Sequence, residues 1–355
     1  MGLQLKDLVV KREVSLADLK GKVLAVDSYN YLYQFLTTIR NVDGTVFTDR
    51  KGRVTSHLIG LFNRTTSLME QGLKLVFVFD GKAPEIKLKT WEKRSAVKAE
   101  ALLKLKEAEK EGDVEAMKRF ASRTAILNKA MIEDAKLIIA TLGLPVIQAP
   151  SEGEAQAAHL VKNGDAYACI SQDYDNLIFG CPLLLRNLSL EGRRKKTGTL
   201  GYEKIKPELI SLKEVLQHLG ISHEQLLLLA ILMGTDYNPG GIKGIGPKTA
   251  LKLVKEHPQA GGGPGQAKSA ERLFEQAGWS KHFPDLEWKE VYDTIKFMPV
   301  TDEYMLDWQP LDEKKLFHLL VEEYDFSAER VQSKLEKLKS GQTQLKQKGL
   351  KGFLG

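Results

Sequence analysis

The residues best suited to chemistry in this chain are carboxylates, and they fall into five groups. Asp27 ends the apolar run Lys22 to Asp27 (KVLAVD), and Asp80 ends Lys74 to Asp80 (KLVFVFD). Glu152 and Glu154 lie in APSEGEAQAA, Asp173 and Asp175 in SQDYD, and Asp236 in GTDYNPGG. Taken singly, each has an ordinary structural explanation. Asp27 can cap a helix starting at Ser28, and Asp80-Gly81 is a turn signal. Ser151 to Glu154 fits a capping box with Ser151 as N-cap. Asp173 or Asp175 can cap a short helix, and Asp236 with Asn238-Pro239-Gly240 suits a turn. Taken together, seven carboxylates in one cleft would repel one another and protonate unless cations neutralise them. Oxygen ligands without His or Cys favour a hard ion such as Mg²⁺ or Mn²⁺. Two such ions about 3.5–4 Å apart can clamp a scissile phosphate, so the chemistry implied is phosphodiester hydrolysis.

The elements around these residues give a reason for them to meet. Short apolar runs at Lys22 to Asp27, Lys74 to Asp80, Leu144 to Gln148 and Ala166 to Ile170 read as buried strands. Helical periodicity occupies Ser56 to Gln71, Ala125 to Leu142 and Glu152 to Asn163. Alternating strands and helices predict an α/β fold, a mostly parallel twisted central sheet with helices on both faces. Ligands bind such sheets outside the carboxyl ends of the strands, where four of the five acidic groups fall.

Composition narrows the class further. The 355 residues are 43% hydrophobic and 28% charged, as in ordinary globular proteins. The longest apolar stretch, Leu226 to Met233, is far too short for a bilayer. The N-terminus MGLQLKDLVV lacks the pattern of a signal peptide, and Lys6 spoils a myristoylation motif at Gly2, so the chain is expected to stay where it is made. Cys169 and Cys181 make neither a disulfide framework nor a zinc site and are expected to be reduced and buried. A formal charge of +6 is weak evidence for an anionic partner.

Two further segments bear on such a partner. Ala83 to Lys129 is basic and helical, interrupted at Gly112-Asp113, and reads equally as a solvated hairpin or as an arch over an active site. Glu224 to Met233 predicts an apolar helix followed by GTDYNPGGIKGIGPKTALKLVKEH. There Gly241, Gly244 and Gly246 permit close backbone approach, Pro247 suits the first turn of a helix, and Lys243 and Lys248 add charge. This pattern suits a sequence-independent grip on one DNA strand. Pro258 to Gln266 reads as a flexible loop, and the Lys-rich tail as disordered when free.

The segments VFVFDGKAPEIKLKTWEKR, QAPSEGEAQAAHL, SQDYDNLIFG and GTDYNPGGIKGIGPKTALKLV closely resemble the flap endonuclease branch of the structure-specific 5′-nucleases. The resemblance runs from Met1 to about Asp325. It implies that Asp27, Asp80, Glu152, Glu154, Asp173, Asp175 and Asp236 hold two Mg²⁺ ions, for which Mn²⁺ can substitute. It implies that Lys87 and Arg94, seven residues apart at the base of the arch, contact the scissile phosphate, with the processed N-terminus at Gly2 nearby. Tyr33 corresponds to an aromatic that stacks on a base, Arg40 and Arg64 to DNA-contacting arginines, and Thr55 to the edge of a pocket for a one-nucleotide 3′ flap. Lys243, Gly244, Gly246 and Lys248 fall in a helix–two-turn–helix that binds duplex DNA and commonly K⁺. Gln347, Leu350, Phe353 and Leu354 fit a sliding-clamp (PCNA) motif, with Leu354 where a second aromatic is usual.

The implied organisation is a nuclease region over 1–82, an arch over 83–129, a second nuclease region over 130–220, the DNA-binding element over 221–257, a helical region over 258–340 and a flexible clamp-binding tail over 341–355. The implied protein is a monomer acting on branched DNA in Okazaki-fragment maturation and repair, with flap endonuclease and 5′–3′ exonuclease activities. Its archaeal-type ending places it in the cytoplasm with the nucleoid, whereas a eukaryotic member would be nuclear. Two alternatives stand beside this: a catalytically silent, clamp-tethered junction binder, and a phosphomonoesterase using Asp173 and Asp175. A missing metal ligand would mark the first, and the glycine hairpin and arch argue against the second.

Overall fold

The computed structural model describes residues 3–88, 100, 102–104, 107–108, 110–113, 115–116, 120, 124–188, 192–195, 202–258 and 265–351. The first half comprises β1 (Arg12–Glu13), β2 (Val23–Asp27), α1 (Ser28–Thr38), α2 (Ser56–Glu70), β3 (Lys74–Phe79), α3 (Lys129–Thr141), β4 (Val146–Gln148), α4 (Gly153–Lys162) and β5 (Ala168–Ile170). There follow α5 (Asp175–Ile178), β6 (Leu183–Arg186), β7 (Gly192–Lys195), β8 (Tyr202–Ile205), β9 (Glu208–Ser211), α6 (Leu212–Leu219), α7 (His223–Met233) and α8 (Pro247–Glu256). The last elements are α9 (Gln266–Gln276), α10 (Trp279–His282), α11 (Trp288–Lys296), α12 (Glu313–Phe317) and α13 (Ala328–Lys351). Among the described residues, no single helix is long and apolar enough to cross a membrane.

One compact unit combines Ser15–Phe79, Arg94–Ile147 and Glu303–Gly355. In it β2 and β3 pair in parallel, from Val23 opposite Lys74 to Asp27 opposite Val78. Both strands are apolar on successive residues, as a parallel strand covered on both faces must be. The Tyr31 ring on α1 meets Phe35 edge-on at 4.7 Å and Phe77 of β3 at 5.8 Å. Trp308 donates its indole N–H to the Leu75 carbonyl at 3.0 Å, tying the later segment to β3. Helix α13 runs as far as Lys351.

The other unit combines Met1–Val14, Asp80–Lys93 and Gln148–Asp302. Its strands run in the order β1-β9-β6-β5. β5 and β6 are parallel, with Cys169 opposite Leu184, while β9 is antiparallel to both β6 and β1. The expectation of four strands thus omitted β6 and β9, whose four-residue runs LLLR and ELIS end in polar or charged residues and show no clear period. Helix α7 is apolar all round and buried, and begins with a capping box between Ser222 and Gln225.

Of the arch expected over 83–129, the described residues include helical turns at 85–88, 102–104 and 110–111. The break at Gly112 has a φ of +67°, and Asp113 then accepts from the N–H groups of Glu115 and Ala116 at 3.0 Å. This agrees with the interruption read at Gly112-Asp113.

Helix α2 can approach α1 because residue 60 has no side chain: a Cβ on Gly60 would stand 2.1 Å from Cγ and 2.5 Å from Cβ of Phe35. Those atoms are anchored near the Phe35 backbone and cannot swing away. Alanine would gain about 1 kcal/mol in helix propensity, while overpacking of this kind costs about 1–3 kcal/mol. Gly60→Ala is therefore expected to lower the urea midpoint of unfolding, with a net loss of up to about 2 kcal/mol. An unchanged or raised midpoint would show that the helices separate at little cost.

Candidate active site

Six of the seven carboxylates lie in the second unit described above. The turn after β3 and the turn before α4 are laced together by backbone hydrogen bonds. Gly81 donates to the Ser151 carbonyl at 2.6 Å, and Lys82 to that of Pro150 at 3.2 Å. A side chain at Gly81 would break this contact, because its Cβ would stand 2.2 Å from the Ala149 oxygen. The lacing brings Asp80 to the start of α4, where its Oδ1 accepts from the Gly153 N–H at 2.7 Å. The capping box expected at Ser151 does not form: Glu152 is the N-cap residue, and the Ser151 hydroxyl donates to the Lys82 carbonyl at 2.9 Å.

Glu154, in the first turn of α4, instead joins Asp173 and Asp175, with one ligand oxygen from each lying within 4.8 Å of the others. Asp175 also accepts from the Leu3 N–H at 3.0 Å, so the N-terminal segment seats against this cluster. Asp236 follows α7 in a buried polar turn. There Asn238 Oδ1 accepts from the Thr235 N–H at 3.1 Å and its hydroxyl at 2.7 Å, while Asn238 Nδ2 donates to the Ile231 carbonyl at 2.7 Å.

Among the described residues, Lys87 places an ammonium at this site. Its Nζ lies 2.6 Å from Glu152 and 3.5 Å from Asp236. Burial works against its charge, but the neighbouring carboxylates outweigh that and hold the ammonium above its ordinary range. The acids show the converse. Burial pushes Asp80 up to about 6, with Glu152 and Asp236 adding repulsion. Burial pushes Asp175 up to about 7, with Asp236 and Asp173 adding to it. One ammonium does not balance this much negative charge. The donor set is all carboxylate oxygen, and it fits a divalent metal site.

The loop carrying Asp173 and Asp175 is gripped from behind by a residue the sequence did not single out. Arg186, the last residue of β6, donates Nε–H to the Gln172 carbonyl at 3.0 Å. Its guanidinium stacks 4.0 Å above the Tyr174 ring and bonds the Tyr174 hydroxyl. Gln172 and Tyr174 thus face the arginine, while Asp173 and Asp175 face the cluster. The only sequence signal was a charge ending an apolar run, which is also how an exposed strand end looks.

The remaining expected residues lie as follows. Asp27, in the first unit described, is 3% exposed and caps α1 by accepting from the Asn30 N–H at 3.1 Å. Tyr33 stands on the same helix, 38% exposed. Arg40 donates to the carbonyls of Thr37 at 3.2 Å and Gly44 at 2.9 Å, so it braces its own loop. Arg64 is half-buried on α2. Thr55, the residue before α2, is only 3% exposed, and its N–H is taken by the Phe47 carbonyl at 2.8 Å, so it offers little contact surface. Lys243 and Lys248 are exposed, Gly244 has a φ of +90°, and Gly246 is the N-cap of α8. Gln347 and Leu350 lie on α13. Gly2, Arg94, Phe353 and Leu354 lie outside the described residues.

The raised acids fix a sign for pH and metal dependence. Asp80 and Asp175 titrate near 6 and 7 in the folded chain, against about 3.9 unfolded. Their cost to folding is absent below about pH 4 and fully present above about pH 7, because the folded state holds the protons longer. Divalent ions displace those protons and relieve the cost. The rise in melting temperature on adding Mg²⁺ to chelator-treated protein is expected to be larger at pH 8 than at pH 5.5. An equal or smaller rise at pH 8 would contradict this electrostatic account.

Comparison with known proteins agrees with this geometry. The XPG N-terminal domain matches residues 1–101, and the XPG I-region matches residues 143–236. The chain is 50% identical over 342 residues to flap endonuclease 1 of Hyperthermus butylicus, covering 96% of this chain and 94% of that protein. It is 48% identical over 339 residues to flap endonuclease 1 of Pyrococcus abyssi, with the same coverage. The solved flap endonuclease-1 of Methanococcus jannaschii superposes with a TM-score of 0.72 at 40% identity, covering 96% of this chain and 98% of that one. The catalytic core of Rad2, solved with DNA substrate, shares the fold at 24% identity and a TM-score of 0.68, over 95% of this chain and 100% of that one. The chain belongs to the flap endonuclease family of structure-specific nucleases.

Proposed function

We propose that this protein is a Mg²⁺-dependent nuclease that cuts branched DNA beside a 5′ flap, leaving a 5′-phosphate and a 3′-hydroxyl. The observation carrying the proposal is the convergence of Glu154, Asp173 and Asp175 within 4.8 Å, beside Asp80, Glu152 and Asp236. Together with Asp27, these residues would hold two divalent ions, Mg²⁺ or Mn²⁺. When bound, the ions supply the Lewis acidity and charge neutralisation that phosphodiester hydrolysis needs.

The chain's own groups do the rest. Lys87 is held between Glu152 and Asp236. Neutralising those acids releases its ammonium toward a non-bridging oxygen of the scissile phosphate, with Arg94 as its partner. Arg186 keeps Asp173 and Asp175 aimed at the cluster through the backbone and ring between them. The glycine connection between α7 and α8 presents Gly244 and Gly246 with open space where a Cβ would be, so a phosphate backbone can approach the peptide groups. Lys243 and Lys248 flank it and provide salt-dependent, sequence-independent affinity for one duplex arm. Carbonyls of the same connection suit a K⁺ ion. Tyr33 stacks on a base at the junction, and Arg40 and Arg64 contact the backbone, with 5′–3′ exonuclease activity at the same site. Gln347, Leu350, Phe353 and Leu354 dock on a sliding clamp. The protein works as a monomer with the nucleoid in an archaeal-type cytoplasm, in replication and repair.

The test uses an end-labelled double-flap DNA. Asp173→Ala is expected to abolish cutting while junction binding persists. Lys87→Ala is expected to lower kcat by about 10²–10³-fold, the size of losing one transition-state charge contact, again with binding retained. Equal loss of binding and cutting in both variants would point to a disrupted fold and overturn the assigned roles.

A further inference from the structure

The chain has only two cysteines, and they meet. Cys169 lies in the middle of β5, and Cys181 follows α5 just ahead of β6. Both are fully buried, and their sulfurs stand 3.1 Å apart. That is closer than the ~3.5–4.0 Å of ordinary non-bonded carbon contacts, and about 1 Å short of the ~2.05 Å bond that would join them. With no third thiol, only one intramolecular pairing exists.

The placement of the pair gives it a consequence. The interval from Cys169 to Cys181 contains Asp173 and Asp175, so its two ends bracket the loop that aims both acids. The strand and turn holding the sulfurs are fixed independently. β5 is paired with β6, and the Cys181 N–H donates to the Asn176 carbonyl at 3.0 Å. A cation stands beside the turn: Lys162 Nζ lies 2.9 Å from where a Cβ on Gly180 would be.

We infer that Cys169 and Cys181 are an oxidisable dithiol that closes a disulfide around the Asp173–Asp175 loop. The oxidant is a low-molecular-weight disulfide of the glutathione type, which reaches the buried Cys181 when the turn after α5 opens locally. The Cys181 thiolate attacks one of its sulfurs, forming a mixed disulfide and expelling one small thiol. The Cys169 thiolate then attacks Cys181 Sγ and expels the second. The protein loses two electrons and two protons, and the small disulfide gains them as two thiols. The closed loop limits the unfolded chain while asking for a short sulfur movement in the folded one, so the oxidised form is the more heat-resistant.

The experiment compares full-length protein incubated below its melting temperature with oxidised glutathione or with dithiothreitol, then denatured, alkylated and weighed intact. The oxidised sample is expected to lose two hydrogens, take no alkyl group, and yield one peptide pair joining Cys169 to Cys181. It is also expected to melt several degrees above the reduced sample. Cys181→Ser is expected to melt alike under both treatments, but the wild-type comparison stands even if that variant folds poorly. Two alkylated cysteines after oxidation, a stable mixed disulfide, or cross-linked dimers would overturn the inference. An internal bond without a rise in melting temperature would overturn its protective role.

Discussion

The structure depends on one constraint: carboxylates, several of them buried, must be packed within a few ångströms of one another. Glu154, Asp173 and Asp175 come within 4.8 Å, while Asp80 and Asp175 are driven toward their neutral forms by burial and mutual repulsion. A folded protein tolerates such a cluster only if something else fixes the backbone that carries it and if cations can enter. Both conditions are visible here. Lys87 enters as a protein-borne cation between Glu152 and Asp236. The backbones are held by hydrogen bonds that do not depend on metal: Gly81 to Ser151, Asp80 to Gly153, Leu3 to Asp175, and the Thr235–Asn238 turn beneath Asp236.

The fold supplies the acids from chain segments far apart in sequence, each at an element boundary. Asp80 follows a strand, Glu152 and Glu154 open a helix, Asp175 opens another, and Asp236 follows a third. At a boundary a side chain can leave the apolar packing that strand and helix interiors demand, while its backbone remains anchored by that packing. Arg186 adds a brace of the same kind, holding Gln172 and Tyr174 so that the intervening acids cannot turn away.

Much of this was legible in the sequence because acids at strand ends are conspicuous after apolar runs such as KVLAVD and KLVFVFD. Glu152 and Glu154 were ambiguous: the same letters spell a capping box, and only the Ser151 bond to Lys82 shows that no box forms. The strands β6 and β9 were not legible, since four residues carry too little periodicity. Arg186 escaped notice because its role is defined by a carbonyl and a ring on a different segment. Thr55, read from the resemblance as the edge of a pocket, is buried at 3% exposure, which its letter and its basic neighbours do not announce. The contact between Cys169 and Cys181 likewise arises from strand pairing, which spacing alone does not report.

The measurement that bears most directly on the central constraint is direct titration of the chelator-treated protein with Mn²⁺ by calorimetry, in two buffers of different ionisation enthalpy near pH 7. Saturable binding of two ions per chain with release of protons, lost in Asp173→Asn, is the result this account predicts. Absence of saturable binding, or binding that Asp173→Asn leaves unchanged, would contradict it.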